Sequence, residues 1–317
     1  MKKIISLLVS ILLIFSVSAC ANRDGQSKIE VYVPDGAPTL SILQLIHENN
    51  QFDKEVKYNV VSASQISASV LNKSGENSSQ ADIAILPVNM ASKLIGDATT
   101  YKMLGVVTHG NLYIVAKNGV STIADLQNKT IGVIGQGNVP DLTFRAVLGQ
   151  NNITCDIRYY TDATTLIPAL KQNIVEIGLL PEPACTKLTT SVAPQYNIAL
   201  DLQALYGGDY PQAVVVAKNS LIKSEKRFVN AFIDAIKNNE TFIADNQNVV
   251  NGINSVKNIF TETTLDGASY NSQAVTNSKI YFKSAKEEKA SVLAYLEQIK
   301  GIQANAVGTV IDNFFYE

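Results

Sequence analysis

Two stretches of the chain repeat one another. Residues 83–94 read IAILPVNMASKL and residues 177–188 read IGLLPEPACTKL. Both run Ile, a small residue, two bulky aliphatics, Pro, three variable positions, a small residue, Ser or Thr, Lys and Leu. A short apolar run closed by a breaker reads as a buried strand. Proline ends that strand, because it lacks an N–H, and it suits the first turn of a helix for the same reason. A strand broken the same way twice predicts two copies of one supersecondary unit.

The flanking sequence supports that. IEVYV (29–33), VKYNVV (56–61) and DIAIL (82–86) form one strand series, and TIGVI (130–134), DIRYY (156–160) and EIGLL (176–180) form a second. Helical patterns separate the members of each series. The first turns also match: PDGAPTL (34–40) and GQGNVPDL (135–142) each place Gly and then Pro ahead of an apolar helical stretch. Strands alternating with helices predict an α/β chain of two lobes, each a mostly parallel sheet flanked by helices. The 317 residues, 46% of them hydrophobic, suffice for two modest cores. GQG fails the dinucleotide spacing after Gly137, and no P-loop occurs. A net charge of −2 supplies no basic field for nucleic acid.

The two lobes connect through MLGVVTHGNLYIVAK (103–117) and DYPQAVVVAKNS (209–220). This places lobe one at 28–110, lobe two at 111–212, and a return to lobe one with C-terminal outer helices at 213–317. Crossings at 107–117 and 205–215 would form the hinge. Phe228, Ala231, Phe232, Ala235 and Ile236 make one helical apolar stripe, and Val292, Leu293, Leu296 and Ile299 another; both read as core faces packed on lobe one.

The N-terminus stands apart. MKK followed by IISLLVSILLIFSVS reads as a signal peptide over 1–19, too short for a span of about 20 apolar residues. Val17-Ser18-Ala19-Cys20 resembles a bacterial lipobox, which makes Cys20 the lipidated residue and 20–27 a polar tether. An acyl-carrying Cys anchors a chain without a transmembrane helix. Cys155 and Cys185 read as small apolar core residues, with an exported disulfide as the alternative. No Cys/His spacing suggests a metal site, and no cofactor is implied.

PDGAPTLSI, ADIAILPVNMASKL, GVVTHGNLYIVAK, STIADLQNKTIGVIGQGNVPD and EIGLLPEPACTKL together resemble the solute-binding proteins of bacterial ABC importers. The resemblance is to their NMT1/THI5-like and SsuA-like branch, a type 2 periplasmic-binding-protein clamshell, over about residues 28–250. It implies a lipid-anchored, monomeric receptor on the outer face of the cytoplasmic membrane. Such a receptor closes on a small-molecule solute and passes it to a permease with an ATPase partner. The chain departs from the family before the last strand of lobe two, where NIVEI replaces a Gly then Asp-Ala. The cysteine-rich motif of the related pyrimidine synthases is missing. Enzymes on this fold, of the menaquinone-pathway or pyrimidine-synthase type, and a surface sensor are the alternatives.

Ligands of open α/β sheets sit at the carboxyl ends of strands, so the strand-to-helix loops carry the candidate contacts. Asp35, Gly36 and Thr39 form the first loop, and Asn89 with Met90 the second. Gln136, Gly137 and Asn138 form the third, where backbone N–H groups would cradle an anion. Glu182 lies in the fourth, between two prolines. Thr39 and Asn89 read equally as helix caps, and Glu182 as a first-turn acid favoured by the helix dipole. His109 and Asn111 lie in the first crossing and Tyr210 in the second. His109 reads as a turn residue or a ligand contact; Tyr113 and Tyr210 are placed to stack on a flat ring. No His has a nucleophile at diagnostic spacing, so a catalytic role has no support. Acids Asp35 and Glu182, without an obvious Arg, suit a small polar or heterocyclic solute, such as a thiamine-type pyrimidine, better than a strong anion; a sulfonate-like solute is the alternative.

Overall fold

The computed structural model describes residues 28–49, 52–71, 81–93, 100–193, 195–267, 270–310 and 312–317. Cys20, the stretch 1–19 read as a signal peptide and the tether 20–27 lie outside the described residues. The six predicted strands form as β1 (Ile29–Pro34), β2 (Val56–Val61), β3 (Ile83–Pro87), β6 (Thr130–Ile134), β7 (Asp156–Tyr160) and β8 (Ile177–Pro181). Between β3 and β6 run β4 (Tyr101–Thr108) and β5 (Leu112–Ala116); later come β9 (Asn197–Asp201), β10 (Ala213–Lys218) and β11 (Ile280–Ser284).

The repeat is structural. In the first sheet β1 pairs in parallel with β2 and with β3; in the second β6 pairs in parallel with β7 and with β8. The full orders are β11-β4-β10-β3-β1-β2 and β7-β6-β8-β5-β9. Both sheets are mixed rather than mostly parallel. β10 runs antiparallel to β3 and β4, and β5 runs antiparallel to β8 and β9. The strands that carry the chain between lobes are thus the antiparallel insertions, a pairing that needs no long crossover of its own.

Pro87 and Pro181 close their strands as last ladder residues, opposite Ala213 and Leu112. That is a place where a missing N–H costs least. Gly36 and Gly137 carry positive φ, +104° and +73°, and this backbone is why glycine stands in both first turns.

One apolar cluster covers the outer face of the first sheet and includes Val31, Ile85, Val215 and Phe232. Another lies in lobe two around Leu170, Leu180 and Cys185. A third is shared, taking Leu86 and Val106 from the first sheet, Val133 and Leu179 from the second, and Tyr295 and Phe314 from the C-terminal region. Cys155 and Cys185 are free thiols.

The C-terminal helices differ in their docking. Helix 226–243 packs on lobe one, against helix 43–48 and β11, with Phe228, Val229, Phe232 and Ile236 buried. Ala231, placed on that stripe by its spacing, is exposed because the stripe turns through Val229 instead. Helix 285–302 packs both on β4 and on helix 139–150 of lobe two. It is an element between lobes, not an outer helix. Thr143 and Tyr295 hydroxyls meet there at 2.6 Å, fully buried. Leu293 is 38% exposed, while Val292, Leu296 and Ile299 face the core. Among the described residues no helix is long and apolar enough to cross a membrane.

Helix 246–259 rests on helix 43–48 through Gly252, where a Cβ would lie 2.4 Å from Leu43 Cγ. Gly252→Ala is therefore expected to lower unfolding free energy by about 1–3 kcal/mol through overpacking. Gly301→Ala, with open space around its Cβ, is expected to raise it by about 0.5–1 kcal/mol. Urea titration of both variants checks the opposite signs.

Candidate functional site

The two broken strands end on one pair of crossing residues. Val88, the first residue past Pro87, donates its N–H to Gln212 O at 3.0 Å, and Glu182, the first past Pro181, donates to Asn111 O at 2.9 Å. Gln212 and Asn111 are joined twice. Asn111 N–H donates to Gln212 Oε1 at 3.2 Å, and Gln212 Nε2 donates to Asn111 Oδ1 at 2.7 Å. Asn111 is 0% exposed and Gln212 half-buried, so this pairing is partly shielded from competition by water. The strand tips of the two lobes therefore converge on the crossings.

Further ties join the tips. Asn89 Nδ2 donates to Gly137 O in lobe two and to Ala306 O in the C-terminal stretch, both at 3.3 Å. Asn277 Nδ2 donates to Glu182 Oε1 at 3.2 Å, and Tyr113 Oη donates to Asn277 O at 2.9 Å. Asp35 accepts from the Thr263 hydroxyl and from Thr264 N–H, the latter at 2.7 Å. Gly308 N–H donates to Ser92 Oγ at 3.0 Å, and Arg145 Nη2 donates to Gln303 Oε1 at 2.8 Å.

Several candidate residues have their polar groups occupied by the protein. Thr39 is not a helix cap; its hydroxyl donates to Pro34 O at 2.9 Å inside the first turn, after Gly36 has capped it. Asp35 is engaged by residues 263–264 rather than by an Asx-turn. Asn111 is consumed by the crossing. Tyr210, read as a ring-stacking contact, is buried in the shared core, stacked on Tyr295 at 5.5 Å with its hydroxyl on Gln203 Oε1. Met90 accepts from Ser67 Oγ through sulfur at 2.8 Å.

The third loop does not present its amides as an anion cradle. Gly137 N–H is taken by the buried Asp141 carboxylate at 2.8 Å and Asn138 N–H by Gly135 O at 2.9 Å, while Gln136 is exposed. Asp141 also accepts from Tyr159 Oη at 2.9 Å and pairs with Arg145 Nε at 3.1 Å. Glu182 is 0% exposed. Its oxygens accept from Thr186 N–H at 3.1 Å and Thr186 Oγ1 at 2.8 Å, besides Asn277. It is not the solvated first-turn acid expected from the sequence: it precedes Pro183, the cap of the helix Ala184–Lys187, whose first turn holds no acid, and it is buried.

Other buried groups have no partner. Asn89 Oδ1, Thr108 Oγ1, both ring nitrogens of His109 and the Tyr270 hydroxyl make no hydrogen bond. Such orphans are rare in folded proteins and call for an occupant. His109 is 2% exposed and lies flat on Tyr281, ring centroids 3.7 Å apart. Burial, aided by the Lys283 ammonium, lowers its pKa to about 3. Burial also raises the Cys185 thiol well above its ordinary range, with Glu182 adding to the rise. Among the described residues no group of three or more His, Cys, Asp or Glu could hold a metal ion.

Two contributors escape sequence reasoning. Gln212 lies within the second crossing, and a polar residue ahead of an apolar strand was its one signal. Asn277 belongs to a stretch with no counterpart in the repeat, and nothing local marks it.

Gln212→Ala is expected to cost about 1–3 kcal/mol of unfolding free energy, because it strands two buried polar atoms of Asn111. Chemical denaturation measures this. His109 stays neutral in the fold and gains a proton on unfolding near its ordinary pKa. Stability should therefore be full above about pH 6.5 and fall toward pH 3, at up to about 1.4 kcal/mol per pH unit from this group. His109→Phe should flatten the slope of thermal midpoint against pH in that window.

Residues 103–249 match the family model described as NMT1/THI5 like. No curated protein sequence matches the chain. An ABC transporter structure from Parabacteroides distasonis is 23% identical, covering 92% of this chain and 99% of that one, with a TM-score of 0.74. The periplasmic aliphatic sulphonate binding protein SsuA from Escherichia coli is 12% identical, covering 92% of each chain, at 0.68. The periplasmic nitrate-binding protein NrtA from Synechocystis is 13% identical, covering 92% of this chain and 85% of that one, at 0.64. The chain thus carries an NMT1/THI5-like segment over residues 103–249, on the two-lobed fold of the periplasmic binding proteins of ABC transporters.

Proposed function

We propose that the chain is the solute receptor of an ABC importer, lipid-anchored through Cys20 outside the cytoplasmic membrane. It holds one small polar metabolite between its lobes, as a monomer, and delivers it to a permease with an ATPase partner. The observation that carries this reading is the convergence of both broken strands on Gln212 and Asn111, with unpartnered buried polar groups at the same junction.

Binding without chemistry fits the side chains. A nucleophilic mechanism needs a thiolate or a base-paired hydroxyl. The Cys185 thiol is instead pushed away from ionisation, and neither nitrogen of His109 touches a hydroxyl or thiol. Neighbours named for sulphonate and nitrate carry anions, whereas Arg145 here is paired with Asp141 and the Gly137 amide is already filled by that carboxylate. That favours a neutral or heterocyclic solute over a sulfonate.

Native mass spectrometry of gently purified protein is expected to show a small-molecule adduct. In a thermal-shift panel the matching solute, at 100 times its Kd, should add about 2.7 kcal/mol of stability. Conversion of that solute into a new mass on incubation would count for an enzyme and against a receptor.

A further inference from the structure

We infer that Asp141 sets the charge class of the captured solute: its carboxylate is a resident anion that fills the donor turn of lobe two at the interlobe contact and keeps oxyanions out. The inference rests on the solute-receptor reading and names the residue that decides between anionic and uncharged ligands.

Asp141 lies three residues past Asn138, the cap of helix 139–150. Acids near a helix start are common, because the first N–H groups lack intrahelical partners and the dipole end is positive. Asp141 goes beyond that role. It is fully buried, and donors approach both of its oxygens. Gly137 N–H donates to Oδ2 at 2.8 Å, from a turn in which Gly135 and Gly137 both carry positive φ. Tyr159 Oη donates to Oδ1 at 2.9 Å, and Arg145 Nε pairs with the same oxygen at 3.1 Å. A backbone amide of a glycine turn, a guanidinium and a phenol make a donor set suited to an oxyanion. Here the chain's own carboxylate is the occupant.

The turn meets the other lobe directly. Asn89 of lobe one donates through Nδ2 to Gly137 O and to Ala306 O, both at 3.3 Å. Two carbonyls fix the orientation of that amide, and its Oδ1 is buried with no hydrogen-bond partner. Arg145 Nε is a second buried atom without a hydrogen bond, its contact with Asp141 being an ion pair only. Gly137 is half-buried and Gln136 exposed, so the turn is open on one side. A solute reaching this contact finds the donors of lobe two already used and a bare acceptor on Asn89. An oxyanion would have to displace a carboxylate tethered beside those donors. A ligand N–H or O–H would satisfy Asn89 Oδ1. Exclusion by a built-in competitor is specificity gained against the wrong ligand rather than for the right one.

The test uses the purified full-length chain in mild detergent. Wild type and Asp141→Ala are titrated by calorimetry and thermal shift with sodium formate, nitrate and methanesulfonate, each against chloride at equal ionic strength. No saturable response is expected from the wild type. Asp141→Ala vacates the carboxylate's place and should bind nitrate and methanesulfonate saturably, about tenfold or more tighter than wild type. Adding Arg145→Gln should abolish that gain. Saturable binding of either anion by the wild type would overturn the inference. Binding of formate alone by Asp141→Ala would do the same, because a sealed helix cap admits the small anion and rejects one whose methyl must project into the gap. A folded Asp141→Ala with no anion response also refutes it. If Asp141→Ala does not fold, Asp141→Ser is read by the same outcomes, and failure of both to fold would leave Asp141 a structural cap only. The receptor reading stands or falls separately, on whether wild type carries a small-molecule adduct in native mass spectrometry.

Discussion

The reciprocal amide pairing of Gln212 with Asn111 holds the rest of the molecule in register. A chain that passes between two sheets must leave both ladders, and its backbone groups lose their partners as it does so. Here the ladders β3–β10 and β5–β8 stop at Pro87–Ala213 and Leu112–Pro181. The next N–H groups, on Val88 and Glu182, go to the carbonyls of Gln212 and Asn111. Each ladder gains one more rung, and two side-chain amides join the rungs across the gap. Register in one sheet is therefore linked to register in the other through four residues.

A second tie lies in the C-terminal helix. Helix 285–302 puts Tyr295 against Thr143 and stacks it on Tyr210, inside an apolar cluster drawn from both lobes. Parting the lobes on that face would break a buried hydroxyl pair. It would also expose apolar surface at about 25 cal/mol per Å². Movement of one lobe against the other is thus constrained by a shared core as well as by the two crossings.

The acids at the junction are handled alike. Glu182 and Asp35 are satisfied by hydroxyl and amide donors, while Asp141, which fills the amide of the Gly-Gln-Gly turn, also has Arg145. Sequence reading placed Asp35 and Glu182 on the right loops but could not orient them. Asp35 meets Thr263, 228 positions away, and Glu182 meets Asn277, 95 positions away. Thr39 and Tyr210 illustrate a related effect. Each is a plausible contact by loop position, and each turns inward once its neighbours are packed.

Local chemistry sufficed for the six strands of the repeat, their proline breaks and the glycine turns, because apolar runs, a missing N–H and positive φ act within a few residues. The two-lobed plan followed from their recurrence. Packing alone decided that the sheets are mixed, that helix 285–302 belongs to both lobes, and that Gln212 and Asn277 sit at the junction. Those outcomes depend on pairs of residues distant along the chain, whose side-chain directions are set by what the folded chain places opposite them.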